Sequence, residues 1–133
     1  LDPDKTLDFQ IQECVTRLGI SSPIEWDVLV FVYRHQASLA NAEQIARMLG
    51  YPSTVVADAL DHLESRKLIR RSRASQGARL YQFVPSEADP PSHSSFRQLI
   101  TVAGNPAGRR MLVTKLRQRR AALSLAKKKG QNG

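Results

Sequence analysis

The chain has 133 residues, one cysteine and a net charge of +8. That length fits one domain, or one domain with helical extensions, and can bury a core without disulfides or metals. The lone cysteine excludes a disulfide framework and points to a reducing, cytoplasmic setting; no apolar run reaches the roughly 18 residues of a membrane span.

No secretory signal stands at the start, and the first residue is Leu1 rather than Met, which is expected of a trimmed chain. Residues 4–19 read as an amphipathic helix, with Leu7, Ile11, Cys14, Val15 and Leu18 on one face and Gly19 at its end. Cys14 then faces apolar neighbours, where an inert packed thiol is expected and a reactive, redox-sensing thiol is the alternative. Next, Ser22-Pro23-Ile24-Glu25 is a helix start, with Ser at the cap, Pro at the first position and Glu at the third. The helix from Ile24 to about Gln36 is apolar over most of its circumference, so it is expected to be buried on more than one side. Ser38-Leu39 reads as a short strand.

The stretch Asn41 to Arg66, NAEQIARMLGYPSTVVADALDHLESR, reads as two helices and a tight turn. Asn41 and Gln44 form a capping-box pattern, in which each side chain accepts from the other residue's backbone N–H. Ile45, Ala46 and Leu49 share one face. Gly50 stands where a helix stop calls for positive φ. Tyr51-Pro52-Ser53 restarts the chain, with Ser53 expected as a cap. Val56, Ala59, Leu60 and Leu63 then form one apolar stripe. The following LIRRSRASQGARLYQFV reads as two strands about a polar turn at Ser75-Gln76-Gly77.

Pro85 to Ser92 reads as a loop, and Ser94 or Ser95 starts a helix with Phe96, Leu99, Ile100 and Ala103 on one face. Gly104-Asn105-Pro106 interrupts it, and Asn105-Pro106 starts a last, basic helix from about 106 to 125. That helix offers three roles: a dimer arm, a phosphate-contacting extension, or a surface for an acidic protein. The expected organisation is an N-terminal helix over 1–20, a winged helix-turn-helix over 21–86, C-terminal helices over 94–126 and a flexible basic tail over 127–133. The fold class is mainly α with a small β-hairpin.

The order helix, helix, helix, hairpin is that of a winged helix-turn-helix. The stretches AEQIARMLGYPSTVVADALDHLESRKLIRR and GARLYQF resemble the winged-helix domain of bacterial transcriptional regulators of the MarR and ArsR type. The resemblance covers residues 22 to 84. It implies a dimeric transcriptional regulator binding double-stranded DNA, with the second helix of the motif in the major groove and the wing on flanking backbone or minor groove. It leaves a small-molecule effector unspecified.

The charge is distributed unevenly, which suggests a polyanionic partner, against the plainer reading of a soluble protein with a charged tail. Residues 1–64 hold four basic and ten acidic groups, whereas residues 65–133 hold sixteen and two. Basic groups that neutralise phosphates supply most non-specific affinity. Candidate contacts are Ser53, Thr54, Ala57 and Asp58 on the outward face of the second helix, and Arg70, Arg71, Arg73, Gln76 and Arg79 on the wing. Asp58 departs from the family's usual Arg, Lys, Ser or Gln at that position. A carboxylate there can accept from a cytosine amino group, but it repels phosphate. Asp61 and Glu64 extend the acidic edge, which leaves a second reading open: a protein-interaction module whose acidic helix face meets a basic partner. Catalysis has weak support. His35, His62 and His93 are isolated, with His62 expected at the surface, and neither zinc spacing nor a phosphate-cradling glycine loop is present, so no cofactor is expected.

Overall fold

The computed structural model describes residues 3–35, 41–73, 79–84 and 90–131, with side chains described over those ranges except 3–4, 73, 79, 90–92 and 127–131. The elements are α1 (Pro3–Leu18), α2 (Pro23–Arg34), α3 (Ala42–Leu49), α4 (Ser53–Ser65), β1 (Ile69–Arg73), β2 (Arg79–Phe83), α5 (Pro90–Ala103) and α6 (Pro106–Gln131). The chain divides into two compact units, residues 24–88 and residues 1–23 with 89–133. Among the described residues, no helix is long and apolar enough to cross a membrane.

The first unit is the winged helix. Its entry is the capping box: the Asn41 side chain accepts from Gln44 N–H at 2.8 Å, and Gln44 Oε1 accepts from Asn41 N–H at 3.0 Å. α3 ends at Gly50, whose φ of +79° is left-handed and whose N–H bonds the Ala46 carbonyl. An L side chain there would strain the backbone even though space is open around it. α4 buries Val56, Ala59, Leu60 and Leu63 on one stripe, as the spacing requires. Its end differs from that of α3. Leu68 N–H reaches the Leu63 carbonyl and Lys67 N–H the Glu64 carbonyl, which is a Schellman closure. The left-handed position is held by Lys67, at φ 61°, where glycine is usual.

The hairpin is antiparallel, pairing Ile69 with Phe83, Arg71 with Tyr81 and Arg73 with Arg79. Ile69, Tyr81 and Phe83 are buried, so this register puts one hairpin face on the core. α2 buries Trp26, Val28, Leu29 and Val32, while Val30, Phe31 and Tyr33 stay half-exposed. Three contacts fasten α2 to the rest of its unit. Glu25 meets His62 of α4, Tyr51 donates to Asp27 at 2.7 Å, and the Tyr33 ring meets Phe83 edge-on at 5.0 Å.

The second unit packs α1, α5 and α6 together. α1 buries Ile11, Cys14, Val15 and Leu18, α5 buries Phe96 and Leu99, and α6 buries Leu112 and Leu116. Asn105 caps α6, accepting from Ala107 N–H at 2.8 Å. One turn on, Gly108 lets the two helix backbones meet, since a Cβ there would stand 2.2 Å from the Val102 carbonyl oxygen.

Several expectations need correction. Ser53 is the first residue of α4 and not its cap; Pro52 holds the cap position and offers no side-chain bond. α5 starts at Pro90, four residues before Ser94, because prolines are tolerated in a first helical turn where N–H groups have no partner anyway. α6 runs on to Gln131, through the stretch read as a flexible tail, because nothing between Ala107 and Gln131 except Gly108 and Gly130 disfavours a helix. The expected strand at Ser38-Leu39 and the turn at Ser75-Gln76-Gly77 lie outside the described residues.

The close approach at Gly108 is testable. Gly108→Ala should destabilise the chain by on the order of 1–3 kcal/mol, because the blocking atom is backbone and cannot rotate aside. A thermal melt should fall by several degrees; an unchanged midpoint would show that α5 and α6 separate at no cost.

Candidate nucleic-acid interface

The burial of one α4 stripe fixes what the opposite side presents. Ser53, Thr54, Asp58 and Asp61 are exposed and Ala57 is half-buried, so four candidates sit on a single outward strip with Asp61 below them. At the head of the strip, the first-turn N–H groups receive no side-chain cap from Pro52. A helix start left open in this way presents donors and the positive end of the helix dipole to an anion.

The acidic edge is smaller than the sequence implied. Glu64 does not extend it, because Arg71 folds onto its carboxylate. Arg71 Nη2 donates to Glu64 Oε1 at 3.2 Å, and Nε lies 3.1 Å from Oε2 as a charge contact that makes no hydrogen bond, so the carboxylate is paired through one arm of the guanidinium. Both side chains are about one-third exposed. Arg71 stands on the hairpin face that carries Ile69, and its cross-strand partner is the buried Tyr81. It therefore binds the wing to α4. Arg70 points the other way, is exposed, and donates to Gln82 at 3.3 Å. Arg73 and Arg79 pair across the strands at the last described rung before the turn. Gln76 lies outside the described residues.

His62 was expected at the surface and is not free there. Its Nδ1 contacts Glu25 Oε1, with the His62 side chain 40% exposed and that of Glu25 only 6%. A buried carboxylate needs partners, and His62 supplies one from the inner edge of α4. Exposed Arg66 and Lys67 follow α4 and were not singled out from the sequence; they add basic charge where the helix hands over to the wing.

Cys14 belongs to the other unit. Its thiol is buried and donates to Gln98 Oε1 at 3.3 Å. Burial pushes the thiol above its ordinary range, and the opposing effects of the Ser95 hydroxyl and the Arg17 charge do not reverse this. A thiol so placed holds little thiolate at neutral pH and is a weak nucleophile. Beside it lies a cavity of about 340 Å³, lined by Gln10, Ile11, Cys14, Gln98, Leu99, Thr101 and Val102. Among the described residues, no three His, Cys, Asp or Glu side chains converge as a metal would require.

Residues 18–80 match the profile of the MarR family. The chain is similar in fold to MepR of Staphylococcus aureus, solved as a complex with DNA: 19% identity, 85% of this chain and 94% of that one, TM-score 0.57. It is similar also to YusO of Bacillus subtilis, with 16% identity over 97% of this chain and 87% of that one, TM-score 0.54. Apo MarR of E. coli matches at 16% identity over 95% and 88%, TM-score 0.55. No curated protein matches the chain.

The assignment of Arg71 as a tie and Arg70 as a surface residue separates the two in stability. Arg71→Met should cost up to about 1 kcal/mol, the range of a partly exposed ion pair, whereas Arg70→Met should be near neutral. Urea titrations that gave both variants the same midpoint would remove the tie.

Proposed function

We propose that this chain, which carries a MarR-type winged helix over residues 18–80, is a cytoplasmic transcriptional regulator that binds double-stranded DNA as a homodimer and acts by binding rather than catalysis. The observation that carries the reading is the outward strip of α4. Its uncapped start, with exposed Ser53 and Thr54, heads a helix whose opposite stripe is locked into the core. A helix presented in that way is suited to the major groove, with base edges within reach of Ser53, Thr54, Ala57 and Asp58. Arg70, Arg73, Gln76 and Arg79 of the wing would meet flanking backbone or minor groove, and Arg71 would set the wing's angle. The complex of MepR with DNA supports the reading through the shared fold. The commitment of Glu64 to Arg71 weighs against an acidic docking face, since it leaves only Asp58 and Asp61 exposed there.

The test compares a random duplex with one selected from genomic fragments, at matched salt. Asp58→Asn keeps the size and removes the charge. It should tighten binding to the random duplex severalfold and narrow the gap between the two, because repulsion at wrong sites is one source of specificity. Arg73→Ala with Arg79→Ala should weaken both duplexes and flatten the salt dependence by about 0.9 for each phosphate that the wing no longer neutralises. A protein that shifted neither duplex at low salt would defeat the reading.

Assembly rests on a different surface. Phe9 of α1 and Leu123 and Leu125 of α6 are 62%, 48% and 61% exposed. A two-fold copy would cover some of these side chains isologously. Sedimentation should find a dimer at the tens of micromolar usual for such runs, and a monomer there would count against the proposed assembly.

A further inference from the structure

α6 carries nine basic residues over its 26 positions and no acidic residue. Their placement is not uniform. At 3.6 residues per turn, Arg109, Arg110, Arg117 and Arg120 fall within an arc of about 100°, and all four are exposed. The packed stripe of Gly108, Leu112 and Leu116 lies beside that arc and not in it. Lys115 is outside it too, and its charge is answered by Asp8 at 3.0 Å. Among the described residues, no carboxylate pairs with Arg110, Arg117 or Arg120.

This row opposes the helix that bears it. Arg117 and Arg120 are like charges three apart, which destabilises a helix. Arg109 and Arg110 follow a first turn that has no acidic residue to offset them and that already carries the positive end of the dipole. A polyanion lying along the arc would relieve both costs.

We infer that the arginine row of α6 is a second nucleic-acid contact, which binds the phosphate backbone of duplex DNA. The inference rests on the DNA-binding reading above. Three features select phosphate. The row consists of guanidinium groups, whose fork meets phosphate oxygens two at a time. Arg110 to Arg120 rises about 15 Å along the axis, enough to follow several phosphates of one duplex. The helix has no aromatic residue to anchor a protein partner. An anionic membrane fits less well, because a helix lying on lipid needs its apolar face, and Leu112 and Leu116 are already buried.

The test uses the full chain carrying Arg110→Gln, Arg117→Gln and Arg120→Gln together, with a triple Lys variant as the conservative control. Binding to random duplexes of 16 and 40 base pairs is measured by anisotropy across a salt series. The Gln variant should lose on the order of tenfold in affinity for both duplexes at 0.1 M salt. Its salt slope should fall by about 0.9 for each arginine that met a phosphate. The Lys variant should keep most of the slope. An unchanged slope in a Gln variant that still binds DNA would overturn the role of α6 alone. A wild-type chain that bound neither duplex would overturn the DNA reading beneath it. Sedimentation of the Gln variant as a monomer where the wild type dimerises would also overturn the inference, since the row would then hold the assembly. Equal wild-type affinity for polyglutamate or for phosphatidylserine vesicles would overturn the choice of phosphate backbone.

Discussion

Everything the winged unit presents follows from the burial of one stripe on one short helix. Val56, Leu60 and Leu63 are at zero exposure and Ala59 at 6%, and each of the three larger side chains contributes roughly 1.5–3 kcal/mol when removed from water. A rotation of α4 by half a turn would expose all of that surface and bury Asp58 and Asp61 without partners. The helix therefore has one rotational setting, and the identity of its outward residues follows from it.

Polar contacts refine that setting. Glu25 is nearly buried near the start of α2, where the dipole favours a carboxylate, and it meets His62 on α4. Asp27 and Tyr51 join α2 to the turn that separates the two helices of the motif. Arg71 and Glu64 join the wing to the end of α4. The first two fasten the motif to a helix that carries no candidate DNA contact, and the third fastens its two candidate surfaces to each other. Glu25, at 6% exposure, is deeply buried, so removing His62 costs more than the pairing itself contributes.

The sequence made the local devices legible and left the distant ones hidden. The Asn41–Gln44 box and the Gly50 stop could be read because their geometry is set within one turn. The stripes of α1, α3 and α4 could be read because periodicity is a property of the helix itself. Ser53 was misread because serine suits both the cap and the first helical position, and Pro52 took the former. His62 looked exposed because its partner is 37 residues away, and no spacing rule spans two helices. Arg71 looked like its neighbours for a similar reason: which face a strand residue takes depends on the register, and the register was not evident before pairing. The candidate strip on α4 was thus foreseeable, while the division of labour among the wing arginines was not.

The period of two in the hairpin also limits how this chain can vary. Ile69 and Arg71 are on the inner face and Arg70 on the outer. Adding or deleting residues between 73 and 79 leaves that alternation intact, so the connection between the strands can lengthen or shorten without disturbing their pairing. A single-residue insertion within 69–73 inverts it: Arg70 would turn inward toward Glu64, and a core position would face water. Length polymorphism should accordingly be tolerated at the wing's end and purged from its stem.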